Sequence, residues 1–231
     1  MKKILIALSL LLPASAGARE AALELEGKSA GCPMKVVFDP ALLKIDPKGA
    51  LAAGGPELAD MIEDSGLYGI GVVKEPGTGR AWYLYGALGP SCDPYFLFVS
   101  SGPDGRKQAE AYGETLRLTA AGGFTVRQAF DLYFPIVRNF AWENGRPAEK
   151  KPEFYRVKKH TRTMKAAPLF PGKDAAEAKG SLPAGTPLTV LGYFLPASGS
   201  GEGRALVRGA GKEGWVEVKD GALEGVVFKG D

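Results

Sequence analysis

Short apolar stretches separated by turn residues recur through the first half of the chain. Residues 67–73 and 81–88 have the length and the aromatic and β-branched side chains typical of strands, and Pro76-Gly77-Thr78-Gly79 between them is typical of a hairpin turn. Residues 95–99 are apolar on both faces, as in a central strand. These patterns predict an antiparallel sheet in the N-terminal part, with further strands at residues 21–26, 34–38, 109–112 and 115–119.

A second periodicity, the helical one, begins at Thr125. Thr125 and Gln128 have the spacing of a capping box, and Phe124 stands where a hydrophobic staple lies. The apolar stripe that follows at helical spacing consists of Val126, Ala129, Phe130, Tyr133, Phe134 and Val137. It predicts an amphipathic helix that packs across the sheet and ends or kinks at Pro135, which lacks an amide donor. A shorter helix is predicted over residues 56–66.

The pattern changes again over residues 143–165, where the chain becomes polar and basic. Such charge runs are usually solvated, and we interpret this one as the linker between two domains, residues 19–157 and 158–231. Contact of the same run with anionic lipid or wall polymers is an alternative that the sequence leaves open.

Beyond the linker, the chain has short strand patterns with turn residues between them. This arrangement predicts a small β-barrel. Strands are predicted at residues 162–165, 204–208, 214–218 and 222–228, and a turn followed by a strand is predicted over residues 182–194.

Two motifs in this region resemble those of a bacterial Src-homology-3-like (SH3-like) domain. The first is the Leu-Pro-x-Gly-Thr-x-Leu-x-Val-Leu segment at residues 182–191, and the second is the Gly-Trp-Val at residues 214–216. The resemblance implies an SH3-like barrel, and by analogy it makes Tyr193 and Trp215 the candidate binding residues. The predicted fold class is therefore α+β, mostly β: an N-terminal antiparallel sheet with one packed amphipathic helix, and a small C-terminal SH3-like barrel.

The first residues predict the compartment. Lys2 and Lys3 precede an unbroken apolar run from Ile4 to Leu12, and small residues follow. This is the pattern of a secretory signal peptide, residues 1–18, with cleavage after Ala16 or Ala18. We therefore expect a periplasmic or secreted protein with no membrane-spanning segment after cleavage, since no later stretch is long and apolar enough.

Composition narrows the classes of partner. Of the 29 Lys and Arg residues, two lie in the predicted signal peptide, which leaves 27 against 26 Asp and Glu. A net charge near +1 gives no reason to expect nucleic acid as a partner. The 32 Gly and 17 Pro residues agree with a fold rich in turns.

The chain has two cysteines, Cys32 and Cys92. In an oxidising compartment an even pair most often forms a disulfide, and we predict one here. A reactive thiol is the alternative, but no C-x-x-C motif is present and the single histidine, His160, is far away in sequence.

No residue pattern predicts a catalytic, metal or cofactor site. A single histidine cannot form a His-rich metal site, and the acidic residues between 57 and 64 are typical of a solvated helix. The aromatic residues around Trp82 and Tyr95 either form a ligand platform or belong to the core, and the core is favoured. We interpret the chain as an envelope binding or scaffolding protein, not catalytic, whose partner is peptidoglycan or an envelope protein. The alternatives are a cell-wall hydrolase or an inhibitor-type protein acting through the N-terminal domain.

Overall fold

This computed structural model describes residues 7–10, 20–26, 33–53, 67–75, 77–88, 94–102, 105–119, 122–129, 132–195, 203–219 and 221–226. The chain is mostly β, and within these ranges it has a single helix. It divides into two compact units. Unit 1 comprises Met1–Gln128 and Arg138–Lys150, and unit 2 comprises Ala129–Val137 and Lys151–Asp231.

Unit 1 contains two sheets. The first has the strand order β1-β2-β3-β9-β10-β11-β12, and the second has the order β4-β5-β6-β7-β8. The strands of these two sheets are β1 (Ala7–Leu10), β2 (Ala21–Glu26), β3 (Pro33–Phe38), β4 (Leu43–Ile45), β5 (Leu67–Lys74), β6 (Ala81–Leu88), β7 (Pro94–Gly102), β8 (Gly105–Tyr112), β9 (Thr115–Leu118), β10 (Gly123–Gln128), β11 (Ile136–Glu143) and β12 (Arg146–Glu149). The first two residues of β11 belong to unit 2.

The five-stranded sheet confirms the strands predicted over residues 67–99. Within this sheet, the strands β5, β6, β7 and β8 follow one another in chain order, and each pairs antiparallel with the next. The seven-stranded sheet is mixed, because β3 pairs in parallel with β9. The whole five-stranded sheet lies between these two strands in sequence, which gives the long connection that parallel pairing requires. An antiparallel sheet alone was therefore too simple a prediction.

β1 lies inside the predicted signal peptide and pairs with β2. If the chain is cleaved after Ala16 or Ala18, as the sequence predicts, β1 is removed and β2 becomes the edge of the seven-stranded sheet.

The core of unit 1 is shared by its two sheets. Trp82 and Phe98 from the five-stranded sheet and Phe124 from the other are at most 2% exposed and belong to one cluster. Phe124 stacks on Phe98 and on Phe140, with ring centroids 4.8 and 4.7 Å apart. Trp82 lies 5.4 Å from Trp142. The core interpretation is confirmed for Trp82, Tyr85 and Phe96, which are fully buried, whereas Tyr83 and Tyr95 are half-buried.

The predicted amphipathic helix from Thr125 is wrong. Residues 123–128 form β10, in which Phe124 and Val126 are buried and the residues between them are not. Pairing with β9 completes the hydrogen bonds of this strand, and a period of two describes the buried residues better than 3.6. Tertiary pairing here overrides a capping box that is only a local signal.

The one described helix is α1 (Pro47–Ala53). Asp46 caps it, since its Oδ1 accepts from the Gly49 amide at 2.9 Å, and Pro47 stands at the first helical position. α1 lies against β5, and Ala50 in it is fully buried. With seven residues, α1 is too short to cross a membrane, and no other helix occurs among the described residues. The helix predicted over 56–66 lies outside the described residues.

Unit 2 contains a four-stranded antiparallel sheet and a short two-stranded one. The four-stranded sheet has the order β13-β16-β17-β18. Its strands and the two of the small sheet are β13 (Tyr155–Arg162), β14 (Ala167–Pro168), β15 (Ser181–Leu182), β16 (Pro187–Phe194), β17 (Gly203–Gly209) and β18 (Lys212–Val218).

The basic stretch interpreted as a linker is largely strand. Residues 146–149 form β12, and β13 runs through residues 157 and 158, where the sequence placed the domain division. β13 also ends where a strand over 162–165 was expected to begin. Its partner β16 supplies the hydrogen bonds, and exposed and half-buried positions alternate along β13, with Arg156, Lys158 and Arg162 at exposed positions.

The core of unit 2 is built from two separate pieces of chain. Small and β-branched residues of the sheet, including Val190, Ala205 and Val207, are fully buried. The segment 132–136 supplies further core residues, among them Phe134, which is also fully buried. The apolar residues read as a helix stripe are therefore divided between the cores of the two units.

Candidate binding groove

A groove of about 400 Å³ opens on the surface of unit 2. One wall is the loop 173–176, and the other walls come from the end of β16, the start of β17 and the end of β18. Its lining residues are Lys173, Asp174, Ala175, Ala176, Phe194, Gly203, Arg204, Glu217, Val218 and Lys219. The groove thus combines an apolar surface with charges of both signs.

Arg204 holds the loop wall in place. Its Nη1 donates to the backbone oxygens of Gly172, Lys173 and Ala175 at 3.2, 3.0 and 2.7 Å. Its guanidinium also lies 3.9 Å from the centre of the Phe170 ring. A planar guanidinium can make these contacts together, whereas a lysine ammonium cannot stack and donate in this way. We call residues 172–175 the pinned loop.

The charges of the groove are paired across its walls. Glu217 lies opposite Arg204 in the β17–β18 pairing, 3.5 Å from its Nη2, and it accepts from Lys219 at 2.9 Å. The hydrogen bond from Lys219, with help from the charges of Lys219 and Arg204, lowers the pKa of Glu217 below the ordinary carboxyl value, although partial burial opposes this. Glu217 therefore stays ionised at neutral pH.

On the loop side, Lys173 combines a charge with an aromatic contact. Its Nζ lies 2.6 Å from Asp174 and 4.5 Å from the centre of the Phe194 ring. One face of the Phe194 ring is therefore covered by a cation.

Tyr193, a candidate binding residue from the resemblance, is fully buried. It packs edge-on against Phe134, with ring centroids 5.4 Å apart. Burial, followed by the neighbouring Tyr133, raises the pKa of its hydroxyl well above the usual value. Tyr193 thus lies in the core of unit 2, next to the groove residue Phe194 in sequence but outside the groove lining.

Trp215, the second candidate, is 8% exposed. Phe154 packs against it edge-on at 5.8 Å, and the Phe154 ring also lies over Gly192, where any Cβ would collide with it. The backbone of Trp215 bonds to Phe170 in both directions, at 2.8 and 2.9 Å. Trp215 is therefore covered by Phe154. Its backbone also holds Phe170, the residue on which Arg204 stacks.

The first motif of the resemblance forms a turn tied to the end of β13. Gly185 adopts φ = +76°, which favours glycine, and its amide donates to the Thr163 oxygen at 2.7 Å. The Thr186 amide donates to Thr163 Oγ1 at 2.9 Å, and both threonine hydroxyls donate to the Pro183 oxygen. These residues hold the fold together and do not line the groove.

Cys32 and Cys92 lie outside the described residues, so their disulfide stays a prediction. The described residues that follow each cysteine are close to one another. The Gly113 amide donates to the Pro94 oxygen, and the Lys35 amide donates to the Glu114 oxygen, each at 2.8 Å. Two consecutive residues, Gly113 and Glu114, thus bind β7 at Pro94 and β3 at Lys35.

The described ranges contain no group of three or more His, Cys, Asp or Glu side chains placed to hold a metal ion. His160 is exposed, and its Nδ1 lies 3.0 Å from the Thr189 hydroxyl.

Sequence reasoning missed the groove residues. Arg204 follows a Gly/Ser-rich stretch, and Lys173 and Asp174 lie in a stretch that reads as a loop. The only available signal was that loops beside strands often carry binding residues. The contacts that form the groove join residues about 30 positions apart, and no local pattern encodes them.

No protein-family model matches the chain, and no curated protein or solved structure is significantly similar to it.

Proposed function

We propose that this chain is an exported binding protein of the cell envelope, and that unit 2 is an SH3-like domain that binds peptidoglycan through the groove. The observation that carries the proposal is the groove itself, with its pinned loop. A concave site with an apolar surface and a few fixed polar groups is the usual form of a ligand site.

The composition of the groove favours a short peptide with charges of both signs. Phe194 and Ala176 offer apolar contact, Lys173 and Lys219 offer cations, and Asp174 offers an exposed carboxylate. The peptide part of peptidoglycan carries both carboxylates and an amine, so each of its charges finds an opposite charge here. A segment of an envelope protein is the alternative ligand.

The pinned loop supports binding for a second reason. A loop already held in one conformation loses little entropy when a ligand arrives, and this raises affinity. The SH3-like assignment is supported by the turn at Gly185 and by the Gly-Trp-Val segment in β18, which lie in unit 2 together with the groove.

The test fills the groove from an exposed position. Ala176 lines the groove and is exposed, so Ala176→Trp places a large ring there with little effect on folding. Ala178 is exposed in the same loop and does not line the groove, which makes Ala178→Trp the matched control. Mature protein from Arg19 onward is incubated with purified sacculi, and the bound fraction is measured by sedimentation.

We expect Ala176→Trp to weaken sacculus binding at least about tenfold, which is about 1.4 kcal/mol, while Ala178→Trp binds as the parent does. Equal binding by both variants contradicts the groove as the site. If the parent does not bind sacculi, the peptidoglycan ligand is wrong, and the same pair of variants then tests captured envelope proteins.

A further inference from the structure

The exposed side of β13 carries a row of basic side chains. Arg156, Lys158 and Arg162 are exposed on this strand, with His160 exposed between them. Strand residues two positions apart are separated by about 7 Å, so the row from Arg156 to Arg162 extends over about 20 Å. β13 is the edge strand of its sheet.

A short segment just after the strand is exposed as well. Met164, Lys165 and Ala166 are all exposed, and Met164 is 55% exposed, an unusual position for a large apolar side chain. This segment is held in place, because the Met164 amide donates to the Ala222 oxygen at 3.0 Å. We call Arg156, Lys158, Arg162 and Lys165 the basic strip.

Among the described residues, three of the four side chains of the basic strip lack the carboxylate partner that several other basic side chains of unit 2 have. Lys173, Arg204, Arg208 and Lys219 each have a carboxylate partner. In the strip, Arg162 is paired with Glu224 through two bonds of 2.6 Å. Arg156, Lys158 and Lys165 form no ion pair with any described residue.

We propose that the basic strip and Met164 bind the surface of an anionic phospholipid bilayer. Exposed lysine and arginine side chains are attracted to anionic headgroups, by about a factor of five in affinity for each residue. An apolar side chain at the end of such a row can enter the interface between headgroups and acyl chains. Met164, exposed beside Lys165, is placed for this role.

A membrane surface explains both the row of basic side chains and the exposed Met164, whereas other anionic partners explain only the basic side chains. A soluble polyanion needs the cations but gives no reason to expose Met164. Glu153, which is exposed just before β13, limits the attraction at that end of the row, so the proposal relies most on Lys158, Lys165 and Met164.

The experiment measures sedimentation of the full mature chain with vesicles. One set contains phosphatidylglycerol mixed into phosphatidylcholine, and the other contains phosphatidylcholine alone. The test variant is Arg156→Glu/Lys158→Glu. The matched control is Lys179→Glu/Lys212→Glu, which makes the same change of net charge at exposed positions of unit 2 outside the strip.

We expect the parent to prefer the anionic vesicles and to lose that preference at high salt. The strip variant should lose at least about tenfold in partition coefficient, and the control should change by less than about threefold. Met164→Ser should weaken binding to anionic vesicles without changing the salt dependence. Sacculus binding of the strip variant should stay as in the parent, so a failure here is distinct from a failure of the proposed function.

Three results overturn the inference: equal binding to both vesicle types, equal loss in the strip variant and its control, and binding of the parent to a soluble polyanion such as heparin without binding to anionic vesicles.

Discussion

The two units differ in the open space that lies beside their sheets. In unit 1, rings from two sheets face each other, and the small cavity described beside Trp142 has a volume of about 10 Å³, at most one water molecule. In unit 2, Arg204 holds a loop beside the sheet, and a groove of about 400 Å³ stays open. The comparison indicates that the aromatic rings of unit 1 close its core almost completely, whereas unit 2 has, besides its own core, an open groove that we propose as a ligand site.

The largest effect is expected from a cavity in the core of unit 1, which tests whether the two units have separate roles. Trp82 is fully buried, and Trp82→Ala should cost about 3–5 kcal/mol in the free energy of unfolding. The control Tyr112→Ala removes an aromatic side chain that is 45% exposed and should cost less than about 1 kcal/mol. Urea unfolding of the mature chain measures both. Because the core clusters of the two units share no residue, sacculus binding by folded Trp82→Ala should be unchanged. Its loss would contradict the separation of roles.

Reduction of the proposed Cys32–Cys92 bridge is expected to have the next largest effect. In the chain-entropy model, a bridge that closes a loop of this length stabilises the fold by about 4 kcal/mol. Urea unfolding with and without a reductant measures the difference, and hydrogen exchange should locate it in unit 1. Alkylation of both cysteines in the unreduced, denatured protein would show that the bridge is absent.

Arg204→Lys tests the pinned loop and should have a smaller effect. The lysine keeps the charge but loses the stack on Phe170 and most of the hydrogen bonds, so we expect a loss of about 2 kcal/mol. Hydrogen exchange at the amides of residues 173–175 should become faster. Arg208→Lys, at an exposed pair on the same strand, should change the free energy of unfolding by less than about 0.5 kcal/mol. Equal effects of the two substitutions would remove the special role of Arg204.

The smallest expected effect is a pH dependence that belongs to Glu217. Its pKa is lowered in the folded state, so the stability it contributes is present above the ordinary carboxyl pKa and is lost as the pH falls through the folded value. Because the side chain is 41% exposed, the effect should be at most about 1 kcal/mol. Unfolding measured from neutral to acidic pH should show a smaller loss for Glu217→Gln than for the parent. Identical curves would show that Glu217 contributes nothing.

Local pattern predicted a large part of the fold. The strands over residues 67–88 were found from turn chemistry and short apolar runs, because these signals act within a few residues. The helix from Thr125 failed because the same apolar residues serve two cores. Phe124 and Val126 belong to unit 1, whereas Tyr133 and Phe134 belong to unit 2. A periodicity measured along the chain cannot detect that division.

The candidate site was harder to predict from the sequence than the strands were. Analogy selected Tyr193 and Trp215, but the structure buries Tyr193 fully and covers Trp215 with Phe154. The groove depends on Arg204 reaching backbone oxygens of the pinned loop, about 30 residues earlier in the chain. Backbone acceptors have no signature in the sequence, so such a contact is visible only in three dimensions.

The central claim is that the groove of unit 2 binds the ligand. Amide shifts of the isotope-labelled mature chain, followed by NMR during titration with soluble peptidoglycan fragments, test it most directly. We expect the shifted amides to cluster at Ala175, Ala176, Gly203 and Val218, which line the groove. Saturable shifts confined to unit 1, with those four amides unchanged, would contradict the claim.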